Sequence, residues 1–484
     1  MLSPVYRLDA TPENEYSREH MSMKPRVVVI GAGSYFFGRK AIWHMCNSPF
    51  LRNGELVLVD TNEQTLDTMV RLGRRTAEAL QSPTTIRGTT DRREALPDAD
   101  FVVLAFSNQN ARFRGVDTRI AAKYGVRMCS SDTIGPGGIF RAMREIPTVL
   151  AVARDCEELC PHAWLINYVN PSAVIGMALR RYSRMRSFAI CDSLYEPNGR
   201  LRHLRDLGII PEDASEVPPE VEAKLDMAIA GVNHFTWLLR LAYDGIDMMP
   251  RIREIVDARA DDERRAGGAN EHGITHSKAK YNNCYAADLF SCFGILPVVI
   301  SHAKEYVPYF QGYGKNTPLP EPIELFDAEQ RQEQMDAFFA ETREYADGSK
   351  PIDDFLASGT ADPATDIIET MWGNLPRSFY ISTANRNAVS NMASDAFLEL
   401  RCDLDMQGPR PQPVGEMPRG VRGLQEQILD THELTAEAAA EFDRAKVLRA
   451  FVSDPIVNNT VDARAMIEEL FEAQSDALDE RWYG

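Results

Sequence analysis

Apolar runs of strand length alternate with segments of helical periodicity in the amino-terminal part of the chain. Runs rich in β-branched residues cover 26–30, 55–60, 101–106, 163–168 and 187–191. Helical spacing of apolar residues covers 35–46, 139–159 and 172–182, and a glycine-rich connector is expected at 131–138. This alternation predicts an α/β fold with a Rossmann-like, doubly wound, mostly parallel sheet over about residues 25–200.

The pattern changes after Pro197. Segment 206–224 is acidic and contains prolines, which is typical of a surface connector, and 225–237 is apolar except at Asn233 and His234. Further on, helical patterns (322–372, 433–451 and 461–478) flank a strand-bearing stretch (377–401) and a proline-rich loop (409–418). We expect a flexible amino-terminal tail (1–24), a Rossmann-like domain (25–200), and an α+β domain for substrate binding and oligomerisation (201–484).

Composition changes this picture little, because 44% hydrophobic and 26% charged residues are ordinary for a globular protein. The net charge of −18 argues against nucleic acid or an anionic membrane as a partner, since both require a basic surface. The 8 cysteines lack the paired spacing of a disulfide framework. No apolar run approaches the roughly 20 residues of a membrane span. We expect a cytoplasmic protein without nucleic-acid or membrane partners.

The first strand leads into a glycine turn of the kind that binds dinucleotides. Gly31 and Gly33 lie between a strand and a helix, so backbone amides can meet a pyrophosphate at the helix amino terminus. Asp60 ends the second strand, where a carboxylate suits the ribose hydroxyls of NAD and repels a 2′-phosphate. Phe36 replaces the usual third glycine, and Gly38 follows. An unliganded turn is the alternative. The predicted NAD contacts are Gly31, Gly33, Ser34, Tyr35, Phe36, Asp60, Asn62, Ser107, Asn108 and Asn167.

A turn at Asn167–Pro171 ends the strand at 163–168. Proline disfavours a helical residue before it and cannot donate to a sheet, so the chain must leave the sheet here. Two amide side chains are thereby held at the carboxyl end of a strand, where open α/β sheets bind ligands. On this stretch alone, a simple strand-ending turn is the alternative interpretation. Asn167, although counted among the cofactor contacts, is expected to hold the turn as a buried amide.

Cys191 and His234 are candidate metal ligands. A thiolate and an imidazole supply two ligands to a divalent cation and leave positions open for substrate oxygens, as in catalytic sites. Taken separately, Cys191 is more typical of a buried apolar residue and His234 of a core histidine with its hydrogen bonds satisfied.

Ordered blocks spanning about residues 25–478 carry a family resemblance. They include VIGAGS (29–34), GPGGIFRA (135–142), PHAWLINYVNP (161–171), GVNH (231–234) and EYVP (305–308). The chain resembles glycoside hydrolase family 4, the NAD- and divalent-metal-dependent glycosidases, or the related NAD-dependent sulfoquinovosidases. The resemblance implies NAD and Mn²⁺ as cofactors, with Cys191 and His234 as metal ligands. It also implies a sugar site lined by Arg114 and Asp117, next to His234, with Asn170 aligning the sugar with the nicotinamide. His302 is expected to be a further ligand or substrate contact, and a structural role is its alternative.

The implied reaction cleaves an α-hexoside through transient oxidation at sugar carbon 3. The ketone acidifies the proton on carbon 2, a base removes it, the aglycone leaves carbon 1, water adds, and re-reduction follows. Asp192 is the expected general acid, although the Ser193-Leu194 that follows it fits neither common family pattern. For the base, Asp288 ranks ahead of Tyr285 and Tyr281.

Three arginines suggest an anionic substituent on the sugar. Arg112, Arg114 and Arg119 could pair with the carboxylate of a uronate or the sulfonate of sulfoquinovose. Two alternatives to a small-molecule glycosidase remain: a net NAD-dependent oxidoreductase of the malate or lactate dehydrogenase type, and a non-catalytic NAD sensor. A homo-dimer or homo-tetramer is expected.

Overall fold

The structure is a computed structural model that describes residues 24–34, 37–268, 280–312 and 321–484. Its strands are β1 (Arg26–Ile30), β2 (Glu55–Val59), β3 (Thr85–Thr89), β4 (Phe101–Leu104), β5 (Trp164–Asn167), β6 (Arg186–Ala189), β7 (Leu225–Val232), β8 (Phe235–Tyr243), β9 (Ile246–Asp247), β10 (Leu296–Pro297), β11 (Ser378–Ala384), β12 (Phe397–Asp405) and β13 (Gly408–Pro411).

Helices cover both faces of the strands. They are α1 (Gly38–Asn47), α2 (Glu63–Ala79), α3 (Arg92–Ala95), α4 (Asn110–Lys123), α5 (Gly135–Leu159), α6 (Ser172–Tyr182), α7 (Arg200–Asp206), α8 (Pro219–Glu222), α9 (Met249–Arg265), α10 (Asn282–Phe293), α11 (Ile300–Ala303), α12 (Ala328–Asp347), α13 (Ile352–Ser358), α14 (Pro363–Gly373), α15 (Arg419–Glu441), α16 (Arg444–Ser453) and α17 (Thr460–Ala473). Short 3-10 turns lie at Asp192–Leu194, Pro308–Phe310 and Glu480–Trp482.

The amino-terminal strands form a parallel sheet in the order β3-β2-β1-β4-β5-β6. β1, β4 and β5 are apolar and almost entirely buried, because helices cover the sheet on both sides. The strand order reverses between β1 and β4, and such a switch point is where open α/β sheets bind ligands at their carboxyl ends. The predicted Rossmann-like fold class is confirmed.

The second half of the chain extends the same sheet. β11 pairs antiparallel with β6 through Ser382 and Ala189, and β12, β7, β8 and β10 follow in order. The long helix α15 packs across α5 and α6, so carboxyl-terminal residues pack on two helices of the amino-terminal half. Side chains from both halves therefore meet at one edge of one sheet.

Several predicted bounds are wrong, and local chemistry explains them. The connector predicted at 131–138 ends where α5 begins, at Gly135; Pro136 suits the first turn of a helix, and the Asp454 carboxylate accepts the Gly135 amide at 2.8 Å. The helix predicted at 433–451 is two helices, because Phe442 adopts a left-handed φ of 59° and Asp443 then caps α16. The loop predicted at 409–418 begins within β13.

Among the described residues, no helix is both long and apolar enough to cross a membrane.

Candidate active site

The glycine turn lies at the switch point of the sheet. Gly31 has a φ of +91°, and a Cβ there would stand 2.7 Å from the backbone of Phe106, which follows β4. The Gly33 amide donates to Oδ2 of Asp60 at 2.9 Å, so the end of β2 holds the turn. Gly38 packs so closely that a Cβ would overlap the carbonyl oxygen of Ala32. Gly38 therefore serves the close helix–strand packing usually served by the third glycine.

The other predicted cofactor contacts have different local roles: one lies in the backbone of the turn, one caps a helix, and two lie in the loop after β4. The Ser34 amide donates to the Gly31 carbonyl within the turn, whereas the Asn62 side chain caps α2 by accepting the Thr65 amide at 2.9 Å. Ser107 Oγ donates to Glu145 Oε1 at 2.8 Å, and the amide of exposed Asn108 reaches the same oxygen. Tyr35 and Phe36 lie outside the described residues.

The two asparagines of the Asn167–Pro171 turn differ in exposure. Asn167 is fully buried, and its amide exchanges two hydrogen bonds with the backbone of Val169, at 3.0 and 3.1 Å. Its side chain is committed to the turn, so the geometry does not support a cofactor contact. Asn170 is partly exposed, and its Oδ1 accepts the Ser172 amide at the start of α6, at 3.2 Å.

A thiol, two imidazoles and a carboxylate meet beyond the ends of β6 and β7. Cys191 Sγ lies 3.1 Å from Nε2 of His234, and the ring of His302 stacks on His234 with centroids 4.0 Å apart. Ligand atoms of Asp132, His234 and His302 all lie within 4.8 Å of one another. We call these four residues the thiol–imidazole cluster. Asp132 was not among the residues predicted from the sequence. Its carboxylate precedes a glycine-rich run, and the whole segment was interpreted as a connector.

His234 is held in an uncommon backbone conformation. It lies in the Asn233–His234 connection between β7 and β8 with a φ of +67°, a left-handed geometry that costs a non-glycine residue about 1 kcal/mol. Gln425 of α15 fixes both sides of this connection, accepting the Val232 amide at 2.6 Å and donating to the Phe235 carbonyl at 2.8 Å. The imidazole position is thus set by a helix from the other end of the chain.

Burial dominates the electrostatics around Cys191. It raises the pKa of the thiol, so Cys191 is protonated when no cation is bound. Burial also raises the pKa of Glu399, on β12, to about 8. The Asn233 amide donates to Glu399 Oε1 at 3.2 Å. Asp192 follows Cys191, is partly exposed, and interacts electrostatically with both groups.

Arg114 supports the loop that carries Asp132. Its Nε and Nη2 donate to the carbonyl and hydroxyl of Ser130 at 2.7 and 2.8 Å, and Nη2 lies 3.7 Å from Asp132 Oδ2. Arg141, which sequence reasoning missed, lies 3.9 Å from the same oxygen. Its Nε has no hydrogen-bond partner among the described residues, and burial lowers its pKa to about 10. A cationic group therefore borders the cluster.

The other predicted sugar contacts are paired with protein groups or exposed to solvent. Asp117 is fully buried, with Arg144 Nη2 at 3.0 Å and Gln474 Nε2 at 2.7 Å. Its carboxylate is occupied by protein partners. Arg112 forms an exposed ion pair with Asp476 at 2.7 Å, and Arg119 is exposed. The geometry does not support these three residues as sugar contacts.

The candidate bases lie on or beside α10. Asp288 is exposed, and the charges that act on it belong to Glu321, Arg264 and Arg253 rather than to the cluster. Tyr285 is buried, and its hydroxyl donates to the carbonyl of Glu321. Tyr281 precedes the helix in a left-handed conformation. The groups that act on Asp288 and Tyr285 thus centre on Glu321, Arg264 and Arg253.

The sheet carries a glycine turn at its switch point and, beyond the end of β6, side chains that could hold a metal ion. This combination is typical of an enzyme built on a dinucleotide-binding sheet. Sequence comparison narrows this class. The model of the family 4 glycosyl hydrolases matches residues 26–207, and the model of that family's C-terminal domain matches residues 229–457. The chain belongs to the family 4 glycosyl hydrolases and is a glycosidase. The predicted resemblance is confirmed, and a net oxidoreductase becomes the weaker alternative.

Individual relatives are similar along nearly the whole chain. A probable 6-phospho-beta-glucosidase of Bacillus subtilis is 29% identical, covering 94% of this chain and 97% of its own length. An alpha-galactosidase of the same organism is 28% identical, covering 94% and 99%. The solved 6-phospho-alpha-glucosidase from gut microorganisms, in complex with NAD and Mn²⁺, has a TM-score of 0.75 at 23% identity, covering 94% and 99%. At this identity the solved structure establishes the fold alone.

Proposed function

We propose that this chain hydrolyses an α-hexoside and requires both NAD and a divalent cation, Mn²⁺ or another metal. The observation that carries the proposal is the 3.1 Å approach of Cys191 Sγ to His234 Nε2 at the sheet edge that also bears the glycine turn. The solved relative bound to NAD and Mn²⁺ has the same fold, which supports the same pair of cofactors here.

The residues present fit a dinucleotide. A Cβ at Gly31 or Gly33 would strike Phe106 or Thr65, so only glycine leaves this turn open for close approach to a pyrophosphate. Asp60 stands at the end of β2, where its carboxylate would meet the ribose hydroxyls of NAD and would repel the 2′-phosphate of NADP. The proposed NAD contacts are thus Gly31, Gly33, Ser34 and Asp60.

The donor set of the thiol–imidazole cluster fits a divalent cation. Cys191 and His234 would hold it, and the Asp132 carboxylate and His302 imidazole stand close enough to add ligands. When bound, NAD supplies reversible oxidation at sugar carbon 3, and the cation supplies Lewis acidity to the sugar oxygens. These groups explain why the site needs no paired carboxylates of the ordinary glycosidase kind.

The remaining residues orient the sugar and move protons. Asp192, partly exposed and next to Cys191, is proposed to protonate the departing aglycone oxygen. Asn170, beyond the end of β5, is proposed to hydrogen-bond the sugar. Arg141 brings a buried guanidinium to within 3.9 Å of Asp132, with Nε lacking a partner among the described residues. We propose that Arg141, rather than Arg112 or Arg119, receives an anionic substituent on the sugar.

A panel of aryl α-glycosides tests this proposal. The galactoside, glucoside, glucuronide and sulfoquinovoside are incubated with and without NAD and Mn²⁺, and released aglycone is measured. We expect release only when both cofactors are present, and fastest release from an anionic sugar. Release without NAD would refute the redox route, and NADH accumulating one-for-one without aglycone would favour the net oxidoreductase.

A further inference from the structure

The turn that carries Asp192 is tied to a helix from the other half of the chain. Asp192 begins a 3-10 turn that ends at the buried Leu194, and the next residue, Tyr195, donates its amide to the Asp192 carbonyl at 3.2 Å. The Tyr195 hydroxyl donates to Oδ2 of Asp366, on α14, at 2.8 Å. A contact across 171 residues therefore fixes the end of this turn.

Asp366 is itself held in place by an ion pair. Nη1 of Arg377 donates to Oδ1 of Asp366 at 2.8 Å and to Oε2 of Glu369 at 3.1 Å. The side chains of Asp366 and Glu369 are only 16% and 6% exposed, so salt screens this pairing less than a surface pair. Since Arg377 occupies Oδ1, the other oxygen of Asp366 is directed at Tyr195. A charged acceptor also makes the Tyr195 hydrogen bond stronger than one between neutral groups.

The same helix supports two other parts of the proposed site. Tyr168, in the turn that bears Asn170, donates its hydroxyl at 2.8 Å to Oδ1 of Asp362, which caps α14. Nδ1 of His44, on the helix that follows the glycine turn, lies 2.8 Å from Oγ1 of Thr365. The apolar face of α14 is buried, so these contacts are made by a packed element. α14 thus sets the Asp192 turn relative to the Asn170 turn and to α1.

The two ends of the Asp192 turn are fixed in different ways. Before the turn, the Ile190 amide donates to the carbonyl of Asn167 at 3.0 Å, so the sheet holds the chain up to Cys191. Oδ1 of Asp192 lies 3.8 Å from Cys191 Sγ, which brings the carboxylate to the edge of the thiol–imidazole cluster. After the turn, the chain is held by Tyr195. Misplacing a catalytic group by about 1 Å can cost about 100-fold in rate, so this second support matters for an acid.

We infer that Tyr195 and Asp366 are positioning residues that aim the Asp192 carboxyl at the departing aglycone oxygen. The inference rests on the proposed function, in which Asp192 is the general acid. Both residues act through Asp192, so their loss should lower the rate only while Asp192 is present.

A double-mutant cycle tests this dependence. Values of kcat and KM are measured with NAD, Mn²⁺ and the phenyl glycoside of the preferred sugar, because phenol leaves poorly without protonation. Asp192→Asn is expected to lower kcat about 100-fold, as is typical for a general acid. Tyr195→Phe should lower kcat about tenfold with KM unchanged. In the Asp192→Asn background, Tyr195→Phe should change kcat by less than about twofold.

The control and the contrary results are equally specific. Tyr182→Phe removes another tyrosine–carboxylate hydrogen bond, to Glu441 at the surface, and should leave kcat unchanged. An equal loss from Tyr195→Phe in both backgrounds would overturn the inference and leave the proposed function intact. Full activity of Asp192→Asn would overturn the inference together with the assignment of the acid.

Titration with MnCl₂ separates Asp192 from the preceding Cys191. Tyr195→Phe should bind Mn²⁺ as tightly as the wild type, because the sheet holds the chain up to Cys191. Weaker binding in this variant would show that Tyr195 acts through the metal ligand and would overturn the inference.

Hydrogen exchange supplies a readout that does not depend on activity. Amide exchange in segment 191–198 is followed by mass spectrometry in the full-length protein. Weakening a hydrogen bond to a charged acceptor should speed exchange about tenfold in Tyr195→Phe and Asp366→Asn, but not in Tyr182→Phe. Unchanged exchange in both variants would overturn the inference. If the wild type cleaves no glycoside, the proposed function fails, while exchange still shows whether Tyr195 and Asp366 hold the turn. Should Tyr195→Phe misfold, Asp366→Asn takes its place in each experiment.

Discussion

Cys191→Ser is expected to lower kcat/KM for the preferred aryl glycoside by about 1,000-fold, equivalent to about 4 kcal/mol of transition-state stabilisation. The reason is that a serine hydroxyl does not ionise as a thiol does, so the cation loses an anionic ligand 3.1 Å from His234 Nε2. Steady-state kinetics with saturating NAD and Mn²⁺ measure the change. Cys292→Ser is the matched control, because Cys292 is exposed on α10.

Cys191→Ser should also change the number of protons released when the cation binds. Burial raises the pKa of Cys191, so the thiol must lose its proton when the cation binds, and wild-type Mn²⁺ affinity should rise about tenfold per pH unit below that pKa. Calorimetry in buffers of different ionisation enthalpy should detect about one proton released by the wild type and none by Cys191→Ser. Unchanged activity and unchanged proton release in Cys191→Ser would show that Cys191 is not a ligand of the cation.

Asp117→Ala is expected to lower the free energy of unfolding by about 3–5 kcal/mol, because it leaves the buried Arg144 guanidinium without its carboxylate. Both side chains are nearly inaccessible, at 0% and 2% exposure, and Nη2 of Arg144 lies 3.0 Å from Asp117 Oδ2. Urea unfolding followed by circular dichroism measures the loss. Asp67→Ala is the matched control, since its ion pair with Arg71 is exposed and such pairs contribute about 0–1 kcal/mol.

This experiment also separates two interpretations of Asp117. The family resemblance implies a sugar contact, whereas the structure shows its carboxylate held by Arg144 and Gln474. A large loss of stability is the result expected for the buried ion pair. A loss of unfolding free energy below about 1 kcal/mol, accompanied by a raised KM, would instead support Asp117 as a sugar contact.

Local sequence patterns were sufficient for the sheet and the glycine turn. The apolar run at 26–30 and the following Gly31 and Gly33 are contiguous, so periodicity and backbone freedom reveal them without tertiary knowledge. Helical periodicity also argues against Asp288 as the base, because it places this residue on the exposed side of α10. Asp288 is exposed together with Ser291 and Cys292, three and four positions further on, so it lies on the solvent-facing stripe of α10.

Contacts between distant parts of the chain could not be predicted in this way. Asp132 reaches His302 only because the fold brings the loop before α5 against the short helix α11. Gln425 forms hydrogen bonds with the His234 hairpin from 190 residues away or more. Gln474 likewise meets Asp117 across 357 residues. Such pairs leave no periodic signal in a single sequence, so the buried ion pair and the support of His234 became visible only in the structure.

The fate of the hydrogen on sugar carbon 2 tests the central claim most directly. An aryl α-glycoside deuterated at carbon 2 is incubated with the protein, Mn²⁺ and a substoichiometric amount of NAD, and the product sugar is analysed by mass spectrometry. The account predicts many equivalents of aglycone per NAD and replacement of the deuterium by solvent hydrogen. Full retention of deuterium in the released sugar would contradict it.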